Sequence, residues 1–160
     1  MRRALLLLLA LGLTACGGDD GAGRPPEIVY GRDVCTECGM IISEERFAAA
    51  YEVEGEDKAF DDVGDMLAHG LRQGELGSET AAWVHDHDTS EWLDAATAWF
   101  VHDADIVTPM GHGIAAFSTR ERATSFATEF GGEVMTWDDL LLTAGSMPAD
   151  HDHSTHDQTP

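Results

Sequence analysis

The chain has 160 residues, of which 30 are acidic and 9 basic, giving a formal net charge of −21 at neutral pH. Such a surface repels phosphate backbones and no basic patch offsets it, so nucleic-acid binding is excluded. Hydrophobic residues make up 43% of the sequence, and the roughly 115 residues between its two unusual ends are a normal size for one small domain.

Arg2 and Arg3 precede a short apolar run, Leu5 to Leu13. The run is too short to cross a bilayer comfortably but has the form of a signal peptide. Leu13-Thr14-Ala15-Cys16 then reads as a lipobox, so residues 1–15 are expected to be removed and Cys16 to carry acyl chains. Losing Arg2 and Arg3 makes the mature chain more acidic still. Residues 16–29, rich in glycine and aspartate and closed by Pro25-Pro26, form a flexible tether. Acylation of Cys16 leaves Cys35 and Cys38 as the one thiol pair of the mature domain, in an oxidising compartment. A disulfide across so short a loop adds little stability, so a purely structural role is weakly motivated.

The domain is expected over residues 30–146. Arg46 to Val53 reads as a strand, Gly55-Glu56-Asp57 as a turn and Lys58-Ala59-Phe60 as its continuation. Asp61 or Asp62 caps a helix whose Val63, Met66, Leu67 and Leu71 fall at helical spacing. Thr80 to His85 reads as a strand, His85-Asp86-His87-Asp88 as a polar turn, Glu91 to Ala95 as a short turn or helix, and Thr97 to His102 as a strand. Ile114 to Phe117 is a further strand, followed by a capping box, Ser118-Thr119-Arg120-Glu121, that opens a helix to about Phe130. Gly131-Gly132 stops it, Glu133 to Thr136 is a strand, and Trp137 begins a last short helix. Residues 147–160, with His151, His153 and His156 among aspartates, read as a disordered His/Asp-rich tail. The order implies an α+β domain. Phe60-Asp61-Asp62 and Phe117-Ser118-Thr119 both run from a strand through phenylalanine into a capped helix, which suggests two related strand–helix units.

Two segments carry the chemistry. Cys35-Thr36-Glu37-Cys38-Gly39-Met40 puts two thiols and a thioether in six residues, and soft sulfur donors select Cu(I). Gly39 removes bulk between Cys38 and Met40. Thr108-Pro109-Met110-Gly111-His112-Gly113 places a second thioether on a turn, beside an imidazole. Met66 and Met135 are expected in the core. A zinc site of the usual kind needs two more Cys or His ligands, and a thioredoxin-like motif should open a long helix. No second CxxC exists, although His85-Asp86-His87 could contribute, and no convincing helix follows Met40, so both readings are weakened. Ser118 reads as a cap rather than a nucleophile, and Asp61-Asp62 as capping rather than acid–base catalysis.

With the lipobox at Cys16, Cys35 to Met40, Phe60-Asp61-Asp62-Val63-Gly64, Trp83-Val84-His85-Asp86, Trp92-Leu93-Asp94-Ala95 and Thr108 to Phe117, in that order, the chain resembles the NosL family. The resemblance covers most of residues 30–142. It implies a fold like the ββαβ units of organomercurial lyase. It also implies a monomeric, non-enzymatic Cu(I) chaperone, lipid-anchored to a membrane outside the cytoplasm. Its partners would be nitrous oxide reductase and the ABC-type machinery that matures it. Cys38, Met40 and Met110 carry over as copper ligands, with Cys35 and His112 as further candidates. In the family a cysteine often follows the Phe-Asp-Asp-x-Gly run. This chain has Asp65 there, which removes an accessory thiol. The competing readings are a thiol-dependent lyase or disulfide oxidoreductase and a structural zinc lipoprotein.

Overall fold

The computed structural model describes residues 23–103 and 105–146. The signal peptide, Cys16, the first part of the tether, Met147 and the His/Asp-rich tail lie outside them.

The first half builds an antiparallel sheet from β1 (Ala49–Val53), β2 (Glu56–Phe60), β3 (Ala82–His85) and β4 (Trp92–Asp94), in the order β2-β1-β3-β4. Helix α1 (Val63–Gln73) connects β2 to β3. The second half repeats the plan. β5 (Trp99–His102), β6 (Ile114–Phe117) and β7 (Glu133–Met135) form a sheet of order β6-β5-β7, with α2 (Arg120–Phe130) between β6 and β7. In each half the first strand pairs antiparallel both with its hairpin mate and with the strand that follows the helix. Each half is therefore a ββαβ unit. The first adds β4, and the second adds α3 (Trp137–Ser146). The Phe60 and Phe117 echo marks equivalent points: each phenylalanine ends its hairpin with no exposed surface, and each helix is capped two residues later, by Asp62 and by Thr119.

Local chemistry sets several boundaries differently from the sequence reading. Glu54 and Gly55, both at positive φ, make the two-residue hairpin turn, so Glu56 and Asp57 belong to β2. Ser118 does not cap α2. Thr119 Oγ1 accepts the Arg122 amide, and Ser118 offers its own amide to Asp86 instead. Residues 92–94 are a strand rather than a turn or helix, because Trp83 to His85 supply a ready edge for them to pair with.

The expected polar turn after β3 is present at His87 to Thr89, but it starts from buried residues. His85 and Asp86 are each only 2% exposed. Asp86 accepts from the Asp88 and Thr89 amides through Oδ1 and from Ser118 through Oδ2, while His87 donates its amide to Ala116. The bonds to Ser118 and Ala116 join the two sheets, and with those inside the turn they satisfy the buried Asp86 carboxylate. His85 donates from Nδ1 to the Ser90 carbonyl and accepts from the Tyr30 hydroxyl at Nε2.

Successive residues of β5 and β6 serve opposite sides. Phe100, Ile114 and Ala116 join the main core with Phe60, Met66, Val84, Met135 and Trp137. Val101, Ala115 and Phe117 pack beneath α2 with Ala123 and Phe126. Met66 and Met135 are core residues, as the spacing implied. Each fully buried large apolar side chain contributes roughly 1.5–3 kcal/mol. The main core reaches the N-terminal turn of α1, so the residues displayed there stand on a rigid base.

Candidate metal centre

Three pieces meet at the N-terminus of α1. The first is the helix end itself. Asp62 is the N-cap, in extended conformation, and its Oδ1 accepts the Asp65 amide at 2.9 Å. The second is the loop from Thr108 to Gly113. Asp62 Oδ2 accepts from Thr108 Oγ1 at 2.9 Å and from the Met110 amide at 3.0 Å. One carboxylate thus starts the helix and anchors the methionine loop, 48 residues downstream.

The third piece is a hairpin of residues 33–42, held by Ile42 N to Asp33 O and Cys35 N to Met40 O. Thr36 donates its amide to Ala59 O, stitching the hairpin to the end of β2. Glu37 fastens its tip to the far side of α1: Arg72 donates to both carboxylate oxygens, at 2.9 and 2.5 Å, and His69 Nδ1 lies 2.9 Å from Oε2. Gly39 sits at φ +72° with open space where a Cβ would be. Its value is the left-handed turn rather than missing bulk, a correction to the sequence argument.

Within this frame the two thiols turn toward carboxylates. Cys35 Sγ donates to Asp65 Oδ2 at 3.2 Å and Cys38 Sγ to Asp61 Oδ1 at 3.6 Å. One donor atom from each of Cys35, Cys38, Asp61 and Asp65 falls within 4.8 Å of the others. His112 Nε2 meets Asp65 Oδ1 at 3.1 Å, so Asp65 sits between the thiols and the imidazole. Gly64 makes this approach fit. A Cβ there would lie 2.0 Å from His112 Cγ.

The electrostatics follow from burial and neighbours. Burial raises the Cys35 thiol, and burial together with the hydrogen bond to Cys35 raises Cys38 strongly. Burial likewise raises Asp61, helped by Asp65 and Asp62 nearby. Burial works against the Asp65 carboxylate too, but hydrogen bonds from His112 and the thiols outweigh it and hold its pKa low. His112 is raised by its bond to Asp65 against the opposing effect of burial. Burial thus favours the neutral form of both thiols, while the Asp65 contact favours the charged forms of His112 and Asp65.

The structure therefore brings Cys35, Cys38 and His112 to one place and seats the Met110 backbone on the same cap. Cys35 is 1% exposed, Met110 half-buried and Met40 55% exposed. Cys16 lies outside the described residues. Sequence reasoning missed Asp61 and Asp65 as partners of the thiols. The Asp61-Asp62-x-x-Asp65 spacing around a helix start was the available signal, since it puts all three carboxylates at one end of the helix.

Comparison with known proteins agrees with this architecture. Copper-binding lipoprotein NosL of Stutzerimonas stutzeri is 30% identical over 167 residues, covering 94% of this chain and 88% of the relative. The crystal structure of the copper chaperone NosL from Shewanella denitrificans shares the fold, with a TM-score of 0.64 at 23% identity over 73% of this chain and 96% of that one. The NosL family model matches residues 27–144, and this chain belongs to the NosL family.

Proposed function

We propose that this protein is a lipid-anchored, extracytoplasmic Cu(I)-binding metallochaperone that delivers copper for assembly of the nitrous oxide reductase copper centre, through an ABC-type maturation machinery. The observation that carries the reading is the convergence of the Cys35–Met40 hairpin and the Met110 loop on one capped helix end. The names of the two relatives, a copper-binding lipoprotein and a copper chaperone, support it. In this reading Cys38, Met40 and Met110 supply the sulfur, and Cys35 and His112, the latter held by Asp65, are further candidate donors. Cu(I) is cargo. Two or three soft ligands with an open position permit exchange with an acceptor, which a closed four-ligand cage would not. The lipobox at Cys16 supplies the anchor.

A thiol enzyme is disfavoured. Reactive cysteines are exposed and have lowered pKa values, whereas Cys35 is buried and both thiols are raised. One observation favours a second reading: the two thiols and two carboxylates of Cys35, Cys38, Asp61 and Asp65 also form a donor set that zinc accepts. Anaerobic titration of the soluble domain with Cu(I) and with Zn(II) separates the two. Tight one-to-one Cu(I) binding that excess zinc does not displace supports the chaperone. Preferential zinc binding, with unfolding on chelation, supports the structural alternative.

A further inference from the structure

Among the described residues, seven large apolar side chains stand exposed: Val29, Val34, Met40, Ile41, Val107, Phe130 and Leu142. Three of them, Val34, Met40 and Ile41, belong to the 33–42 hairpin, and a fourth, Val107, adjoins the methionine loop. Val34 and Ile41 pair across the hairpin, each 56% exposed, while the next residues along, Cys35 and Ile42, are 1% and 0% exposed. The hairpin therefore presents aliphatic side chains to water on one face and buries a thiol on the other. Val107, 87% exposed, immediately precedes the Thr108–Gly113 loop. A chain with 30 acidic residues has ample polar material for such positions, and apolar side chains gathered around a site mark an interaction surface.

We propose that Val34, Met40, Ile41 and Val107 form the docking lip for a copper-accepting protein whose contact face has an apolar centre and a basic rim. The proposal rests on the chaperone reading and names the partner's chemistry. Charge selects this occupant. Exposed Glu44 and Glu45 follow the hairpin and exposed Asp105 lies two residues before Val107, outnumbering the exposed Arg32, which pairs with Asp33, and Arg46; the chain as a whole carries −21. A second copy brings the same acids and is repelled, as is an anionic bilayer, whereas a basic rim is attracted and steered. Position selects it too. Ligand exchange needs the acceptor's donor atom to reach the bound ion, and Met40 is both a lip residue and a candidate donor.

The test uses the full-length lipoprotein with Val34→Ser/Ile41→Ser, Val107→Ser and, on α3, Leu142→Ser. The lip variants should bind Cu(I) as wild type does in competition with bicinchoninate, within about twofold. In cells that depend on them, the copper content of nitrous oxide reductase should fall at least fivefold, with Leu142→Ser unchanged. Normal copper content with both lip variants overturns the proposal. So does a wild-type dimer, or wild-type binding to phosphatidylcholine or phosphatidylglycerol vesicles, that the lip substitutions abolish. Failure of the chaperone reading is separately visible: Cys38→Ser would then leave the reductase's copper content normal.

Discussion

The Asp62 carboxylate holds the Met110 amide at 3.0 Å through one oxygen while its other oxygen caps α1. Helix start and methionine loop therefore cannot move independently. Asp62 is 1% exposed, so neither bond is shared with bulk water. Asp62→Ala should destabilise the domain by about 2–4 kcal/mol, from the lost cap and the unsatisfied donors left behind. Asp62→Asn keeps a capping oxygen but turns an NH2 toward the Met110 amide. It should retain most of the stability in urea unfolding while weakening Cu(I) binding about tenfold, or about 1.4 kcal/mol.

Gly64→Ala separates packing from helix propensity. Alanine is favoured over glycine within a helix by about 1 kcal/mol. Here its Cβ would lie 2.0 Å from His112 Cγ. The variant should keep a folded α1 by circular dichroism yet lose the His112–Asp65 contact, read from the His112 ring shifts by NMR.

The same ring reports the charge balance. His112 is raised above its ordinary pKa by Asp65 first and by Asp62 and Asp61 further out, against burial. Because the folded value lies above the unfolded one, the pair's stabilising contribution is fully present below the ordinary histidine pKa of about 6.5. It is lost as pH rises through the raised folded value. An NMR titration of the metal-free domain should find His112 above the ordinary value. In Asp65→Asn it should drop below the wild-type value.

Capping offers a test away from the centre. Thr119 Oγ1 accepts the Arg122 amide, so Thr119→Ala should cost about 1 kcal/mol. Ser118→Ala, which keeps the backbone amide bond to Asp86 and loses only the hydroxyl beside that carboxylate, should cost less. Thermal or urea unfolding of the two variants decides between them.

The strand–helix alternation and the Phe60 and Phe117 junctions were legible because each depends on residues within one turn or one hairpin. Trp92–Asp94 was not: three residues carry no period, and their pairing partner, Trp83 to His85, decides their state. His85 to Asp88 looked like a solvated turn because the bonds that bury Asp86 come from Ser118 and its own turn, and the first is invisible locally. The sulfur residues could be picked out by softness alone. The carboxylates could not. Asp65 looked like an absent thiol, yet it receives Cys35 and His112 from positions 30 residues before it and 47 after it. Its role exists only once hairpin and loop dock on α1.

The central claim is that a thiol of the Cys35–Met40 hairpin and the Met110 thioether share one Cu(I). Copper K-edge absorption of the Cu(I)-loaded domain, grown with selenium in place of methionine sulfur, tests it most directly. The account predicts a sulfur-containing shell with a copper–selenium contribution that diminishes in Met110→Leu, and a sulfur contribution that diminishes in Cys38→Ser. A shell of nitrogen and oxygen alone, or a copper–selenium signal unchanged when Met40 and Met110 are both replaced, would contradict it.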